Sequence, residues 1–264
     1  MRPDRSPRPA ARRVPARRAV PAAVLGLGAA LALTACGASG EDASAAWDRA
    51  RAQLEGAQSV RMTTEVSTDA GVVGGGLGIP DATEVAGAVD GGDLVYTGEF
   101  RAGQHTARDE TRVVGGKQYH RFAVEERGGV AGPERPEYAQ KWQETPVSQG
   151  LSMRAVVDGL LAGVPAAGGL EGAAVDADGI RRSGEDAVRY VLEQPVAGAG
   201  DAATRLKAFT VAEDDGALLT VETVSPGTEG TVTFSDWNAV EPVEAPAADE
   251  IAAPPAAPEP APAG

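Results

Sequence analysis

Short runs in which apolar and polar side chains alternate strictly, broken by tight glycine turns, constrain this chain more than any other feature. From Ser59 to Ser67, Val60, Met62, Thr64 and Val66 fall on one face, and Arg61, Thr63 and Glu65 fall on the other. A period of two belongs to a strand with one buried face. The same period returns in Val188, Tyr190 and Leu192 against Arg189 and Glu193. Further strands are predicted at Asp93 to Phe100, Thr106 to Val114, Lys117 to Phe122, Leu206 to Val211, Ala217 to Val224 and Thr231 to Trp237. Gly115-Gly116 suits a two-residue hairpin and Glu213-Asp214-Asp215-Gly216 a slightly longer one. Consecutive hairpins of this kind make an antiparallel meander.

Two segments carry the helical period instead. Asp42 or Ser44 can cap a helix running to about Leu54, with Trp47, Ala50 and Leu54 on one stripe and Gly56 as the stop. Met153, Val156, Val157, Leu160 and Leu161 place a second helix over Leu151 to Leu161, ended by Gly163 and Pro165. A single apolar stripe must pack on another layer, so the expected class is α+β, in the order helix, four or more strands, helix, four or more strands. Gly71 to Gly92 and Gly163 to Gly172 are so rich in glycine and alanine that loops and frayed strands fit them equally.

Seven arginines against one acid in the first eighteen residues, followed by an uncharged run from Ala19 to Ala35, form an export signal. The run contains Pro21 and Gly26 and falls short of the roughly 20 residues that a spanning helix needs. It ends in Leu33-Thr34-Ala35-Cys36-Gly37, which resembles the lipobox of bacterial lipoproteins. That resemblance implies a diacylglyceryl group on Cys36, cleavage between Ala35 and Cys36, and a protein held on the outer face of the cytoplasmic membrane. The arginine pairs Arg12-Arg13 and Arg17-Arg18 lack the bulky residues usual after a twin-arginine signal, so general secretion is expected.

Removing residues 1–35 takes away seven of 24 basic and one of 38 acidic residues, leaving 17 against 37 and a formal charge of −20 on 229 residues. Such a chain repels nucleic acid and anionic headgroups alike, so its membrane attachment must come from acyl chains. Cys36 is the only cysteine, which leaves none for a disulfide. The expected organisation is signal peptide 1–35, tether 36–42, one domain over 43–250, and a Pro/Ala-rich tail over 251–264 too poor in apolar side chains to order itself.

Catalytic and metal chemistry find no footing. The chain has only His105 and His120, no H-E-x-x-H, no paired cysteines, no calcium loop and no G-x-S-x-G elbow. Gly74-Gly75-Gly76 lacks the lysine and spacing of a phosphate loop. His120 is expected to be an ordinary surface-strand histidine. Glu125-Glu126, Asp214-Asp215 and Asp249-Glu250 are expected in turns or linkers as solvated charge. The chain is therefore read as a non-enzyme without a cofactor or metal.

The parts in their order resemble the LolA-like lipoprotein carriers of the LppX and LprG type. The resemblance rests on the Ala43 to Gln58 helix running into Ser59-Val60-Arg61-Met62-Thr63-Thr64, and on the hairpin Val113-Val114-Gly115-Gly116-Lys117-Gln118-Tyr119. It continues through Lys141-Trp142, the helix near Leu151 to Leu161, and Val232-Thr233-Phe234-Ser235-Asp236-Trp237 with Ala245-Pro246 after it. It implies a strongly curved antiparallel half-barrel with helices on its concave face, enclosing an apolar cavity for lipid or lipid-linked glycan. Val60, Met62, Val66, Tyr119, Val188, Tyr190, Leu192, Val221 and Phe234, on the alternating faces, are the candidate lining. The plain alternative for each is contact between sheet and helices. The alternative for the whole is a sensor or protein-docking module of the same fold without an open cavity.

Overall fold

The period-two segments form strands, and three more join them. In the computed structural model the strands are β1 (Ser59–Thr68), β2 (Ala82–Ala88), β3 (Leu94–Ala102), β4 (His105–Val114), β5 (Lys117–Glu126) and β6 (Gln143–Thr145). After the helix α2 come β7 (Val175–Arg182), β8 (Glu185–Ala197), β9 (Arg205–Ala212), β10 (Leu218–Ser225) and β11 (Thr228–Ser235). The structure describes residues 42–68, 80–102, 105–126, 141–148, 151–182, 184–200 and 203–253. The expected export signal, the expected lipobox at Cys36 and the residues beyond 253 lie outside the described residues.

β2 falls in the stretch that loops and frayed strands fit equally, β6 and β7 were not expected, and each of the three lacks the usual signal. β2 is built largely of alanine and glycine, β6 has three residues, and β7 reads Val-Asp-Ala-Asp-Gly-Ile-Arg-Arg. β7 is an edge strand, where charge guards unpaired backbone groups from other chains. Gly163 to Gly172 forms turns, although it buries Val164 and Leu170.

All strands join one antiparallel sheet in the order β6-β5-β4-β3-β2-β1-β11-β10-β9-β8-β7. The first and last strands therefore meet at a central seam, where Met62 pairs with Phe234 and Thr64 with Val232. One meander runs outward from the seam to β6, and the other returns inward from β7. The chain between these edges must cross the whole sheet, and α2 lies within that crossing. A flat sheet would make the crossing about 48 Å wide at about 4.8 Å per strand gap, and sheets beyond about ten strands curl rather than stay flat. The arrangement fits an open, curved half-barrel with helices on its inner face.

Turn chemistry sets the register. Val114 pairs with Lys117, and Gly115 and Gly116 adopt φ of 59° and 75°, the left-handed pair that a type I′ hairpin requires. α1 (Ala43–Gly56) is capped by Asp42, whose carboxylate accepts from Ser44 N at 3.2 Å. α2 (Met153–Ala162) is capped by Ser152, whose hydroxyl oxygen accepts from Ala155 N at 3.2 Å. The stripes Ala46, Trp47, Ala50 and Leu54 from α1, and Met153, Val157 and Leu161 from α2, are buried in one core with the inner faces of β1, β2 and β8–β11. Each fully buried Leu or Phe there stabilises the fold by roughly 1.5–3 kcal/mol.

After β11 the chain reverses through Asp236 and Asn238, at φ of 52° and 55°, a region these two side chains tolerate. The Asn238 carboxamide oxygen accepts from Gln58 N at 2.7 Å, and Asn238 N donates to Ser59 O at 2.8 Å. The segment then crosses the outer face, with Arg112 donating to Glu244 O at 3.2 Å. It ends beside Trp142: Trp142 N donates to Glu250 O at 2.9 Å and Ala252 N to Trp142 O at 2.7 Å, in a parallel bridge with Ile251. Arg112 and Arg121 both lie over the buried Trp142 ring, at 4.7 and 4.5 Å from its centroid. The order of the chain thus extends past the expected boundary at residue 250, because Ile251 and Ala252 carry this bridge.

Candidate hydrophobic site

The nine side chains expected to line a cavity do not share one environment. Val60, Met62, Tyr190, Leu192, Val221 and Phe234 are buried in the core with the helices. Val188 is partly buried and packs against that core, and Val66 is half-buried outside it. Tyr119 belongs elsewhere. It pairs with Arg112, and the alternation that sends Thr111 and His120 to the helix side sends Tyr119, Arg112 and Arg121 to the outer face. The local sequence shows alternation over 117–122 but not its phase, and a one-residue error exchanges the faces.

Of the nine, only Tyr190 borders the cleft that opens between α1 and the β7–β8 edge. This cleft has a volume of about 650 Å³ and is floored by Leu170, Ala173, Val175, Ala177 and Tyr190, with Ala43 and Ala45 on the helix side. Asp42, Asp48 and Glu171 also line it. Tyr190 stacks on Phe209 with centroids 4.8 Å apart, and Phe209 meets Trp47 edge-on at 5.2 Å. This aromatic series fixes the wall of the cleft to the middle of the core. Burial raises the Tyr190 phenol above its ordinary range, the Arg49 charge lowers it, and the Asp42 charge raises it.

The turns 163–172 close one side of the cleft and are fastened to α1. Trp47 Nε1 donates to Pro165 O at 3.1 Å, and Arg51 donates to Leu161 O at 3.1 Å and to Pro165 O at 3.0 Å. Gly168 N donates to the Asp48 carboxylate at 2.9 Å. The tryptophan stripe of α1 therefore does two jobs: it packs the core and holds the wall of the cleft.

A second groove, of about 820 Å³, lies on the outer face beneath the C-terminal segment, between Arg61, Ala86, Val95 and Arg112 on one side and residues 239–244 on the other. Its Arg61 is neutralised by Glu84 and by Asp236, the latter at 2.6 Å. The groove is thus walled by groups that satisfy one another.

His120 is a partly exposed histidine of strand β5, as expected; it lies on the helix side of the sheet and its Nε2 approaches Asp109 at 2.7 Å. Glu125-Glu126 closes β5 instead of occupying a turn, while Asp214-Asp215 lies in the β9–β10 turn and Asp249-Glu250 in a 3₁₀ turn. Among the described residues no group of three His, Cys, Asp or Glu side chains could hold a metal ion. No helix among them is long and apolar enough to cross a membrane.

No family model matches this chain, and no curated protein matches it. Among solved structures it is similar to the lipoprotein LppX of Mycobacterium tuberculosis, at 13% identity over 76% of this chain and 96% of that one, with a TM-score of 0.43. It is also similar to LprF of Mycobacterium bovis, at 14% identity over 77% of this chain and 95% of that one, with a TM-score of 0.46.

Proposed function

We propose that this chain is a lipid-anchored envelope protein that binds a hydrophobic molecule, lipid or glycolipid, in the cleft between α1 and β7–β8. The observation that carries this reading is the cleft floor: Leu170, Ala173, Val175, Ala177 and Tyr190 border about 650 Å³ of open space. That volume falls within the roughly 300–1,000 Å³ usual for small-molecule sites. Each methylene removed from water there contributes about 0.8 kcal/mol, so an acyl chain needs no special polar ligands to bind. Five residues of chain, six Cα steps, separate Cys36 from Asp42 at the cleft. At about 3.5 Å per residue such a tether reaches no more than about 20 Å, which suits exchange with the bilayer surface. The reading is non-enzymatic.

Native mass spectrometry of protein purified from its own membrane tests the reading, with bound lipid expected. Ala177→Trp, which fills the floor, should reduce uptake of a fluorescent lipid at least about tenfold, since several buried methylenes are displaced. Recovery without lipid, together with no uptake by the parent chain, overturns it. The anchor is tested separately: Cys36→Ala should release the protein from membranes or stall its processing, and a variant that still sediments with membranes at high salt contradicts it.

One observation favours a protein-docking module instead: five of the nine expected lining residues, Val60, Met62, Leu192, Val221 and Phe234, are consumed by the filled core away from the cleft. Crosslinking in whole cells separates the two readings. A single stoichiometric protein partner, with lipid-free protein, selects docking.

A further inference from the structure

The inner face of β3–β5 carries a polar cluster that packing alone does not explain. One row crosses the sheet through Phe234, Met62, Val85, Tyr96, Thr111 and His120, each the direct partner of the next. The row is apolar as far as Val85 and polar from Thr111 onward. The next row brings Gly98, Asp109 and Phe122 together. His120 Nε2 and an Asp109 carboxylate oxygen are 2.7 Å apart.

Tyr96 completes the cluster. A Cβ added to Gly98 would sit 3.0 Å from the Tyr96 hydroxyl, so the ring lies along its own strand over the glycine. Gly98 pairs with Asp109, which brings the hydroxyl towards that carboxylate. Burial first, and the Asp109 charge second, raise the Tyr96 phenol above its ordinary range, so it remains a donor. The side chains of Asp109 and His120 are 34% and 37% exposed, within reach of a ligand. Half-buried Phe100 and Phe122 flank the cluster on one side, and buried Leu94 and Val113 on the other.

With Nε2 committed to Asp109, His120 keeps Nδ1, and Asp109 keeps its second oxygen. Among the described residues the Tyr96 hydroxyl has no hydrogen-bond partner, although the Asp109 charge is near enough to act on it. We propose that this cluster is a second binding site, for the hydroxyl group of a neutral and otherwise apolar molecule. A hydroxyl donates and accepts, so it can donate to Asp109 while accepting from Tyr96. A carboxylate or phosphate meets the Asp109 charge and is repelled. An ammonium satisfies Asp109 but cannot accept from Tyr96. A bare hydrocarbon leaves the Tyr96 hydroxyl and the second Asp109 oxygen unmatched in a partly desolvated place, which is costly. The site lies on strands other than those of the cleft and does not depend on it.

The test uses the full chain carrying Cys36→Ser, so that no acyl group occupies the protein. The chain has only His105 and His120, so ¹³C-labelled histidine gives two sets of ring signals, and His120→Gln assigns them. 1-Octanol, octyl glucoside, octanoate and octyltrimethylammonium are titrated in turn. The hydroxyl probes should shift the His120 ring saturably and the ionic probes should not. A response to octanol identifies a hydroxyl on a bare chain, and a response to octyl glucoside alone identifies a sugar hydroxyl. Asp109→Asn and Tyr96→Phe should each weaken that binding about three- to tenfold, the loss of one hydrogen bond, with circular dichroism unchanged. A His120 signal that neither hydroxyl probe moves, or that octanoate moves equally, overturns the proposal. Should Asp109→Asn fail to fold, Tyr96→Phe decides, and unchanged affinity in that variant counts against the site.

Discussion

At the scale of single residues, the core is held by a few large side chains among many small ones. Phe209 is fully buried and touches both Tyr190 and Trp47, so Phe209→Ala removes two aromatic contacts and leaves a cavity beside the cleft. A loss of about 3–5 kcal/mol is expected, measured by urea denaturation. Tyr190 and Tyr96 supply a pH signature, since burial raises both phenols. Below about pH 10, the ordinary phenol value, both folded and unfolded chains keep these protons and nothing changes. Above it the unfolded chain loses them first, so it binds fewer protons than the native state and stability falls with rising pH until the folded phenols ionise. Melting temperatures across that range should show the decline, and Tyr190→Phe should flatten part of it.

At the scale of elements, the C-terminal segment acts as a strap on the outer face. Truncation after Glu244 removes the partners of Trp142 at Glu250 and Ala252, while leaving every strand intact. One of the chain's three tryptophans should then become quenchable by acrylamide, and unchanged quenching would show that the strap is dispensable. The elements also show what the sequence made legible. Strands with alternating Val, Met, Tyr and Arg, both helices and the Gly115-Gly116 hairpin could be placed because their patterns answer to one buried face. β2 and β7 could not, because Ala and Gly carry little contrast and an edge strand has charge on both faces. The phase of β5 escaped for a different reason: whether Tyr119 or His120 points to the helices is decided by pairing with β4, a non-local fact. The polar cluster at Asp109 and His120 was hidden for the same reason, since these residues are joined only across a hairpin. Of the cleft, Tyr190 alone was anticipated. Its other walls come from turns and a strand without period.

At the scale of the whole molecule, the seam governs cooperativity. Within the sheet β1 pairs with β11 and β2, and the core draws on both meanders. Deleting β11 from Gly227 onward strips the inner-facing Phe234 from the core and leaves β1 and β10 with unpaired edges. Loss of cooperative thermal unfolding is expected, whereas a sharp transition in that variant would mean that each meander folds alone. Pairing between strands so distant in sequence also slows folding, because the intervening loop must close before the contact forms.

The meeting of β1 with β11 bears on how such a molecule matures if it is threaded across a membrane amino end first. Its earliest strand must wait, with one side unmatched, for nearly the last stretch of chain to emerge. Any product cut short during synthesis would arrive without a closing partner and stay open to proteases. Completion of the polypeptide and completion of its interior thus become the same event.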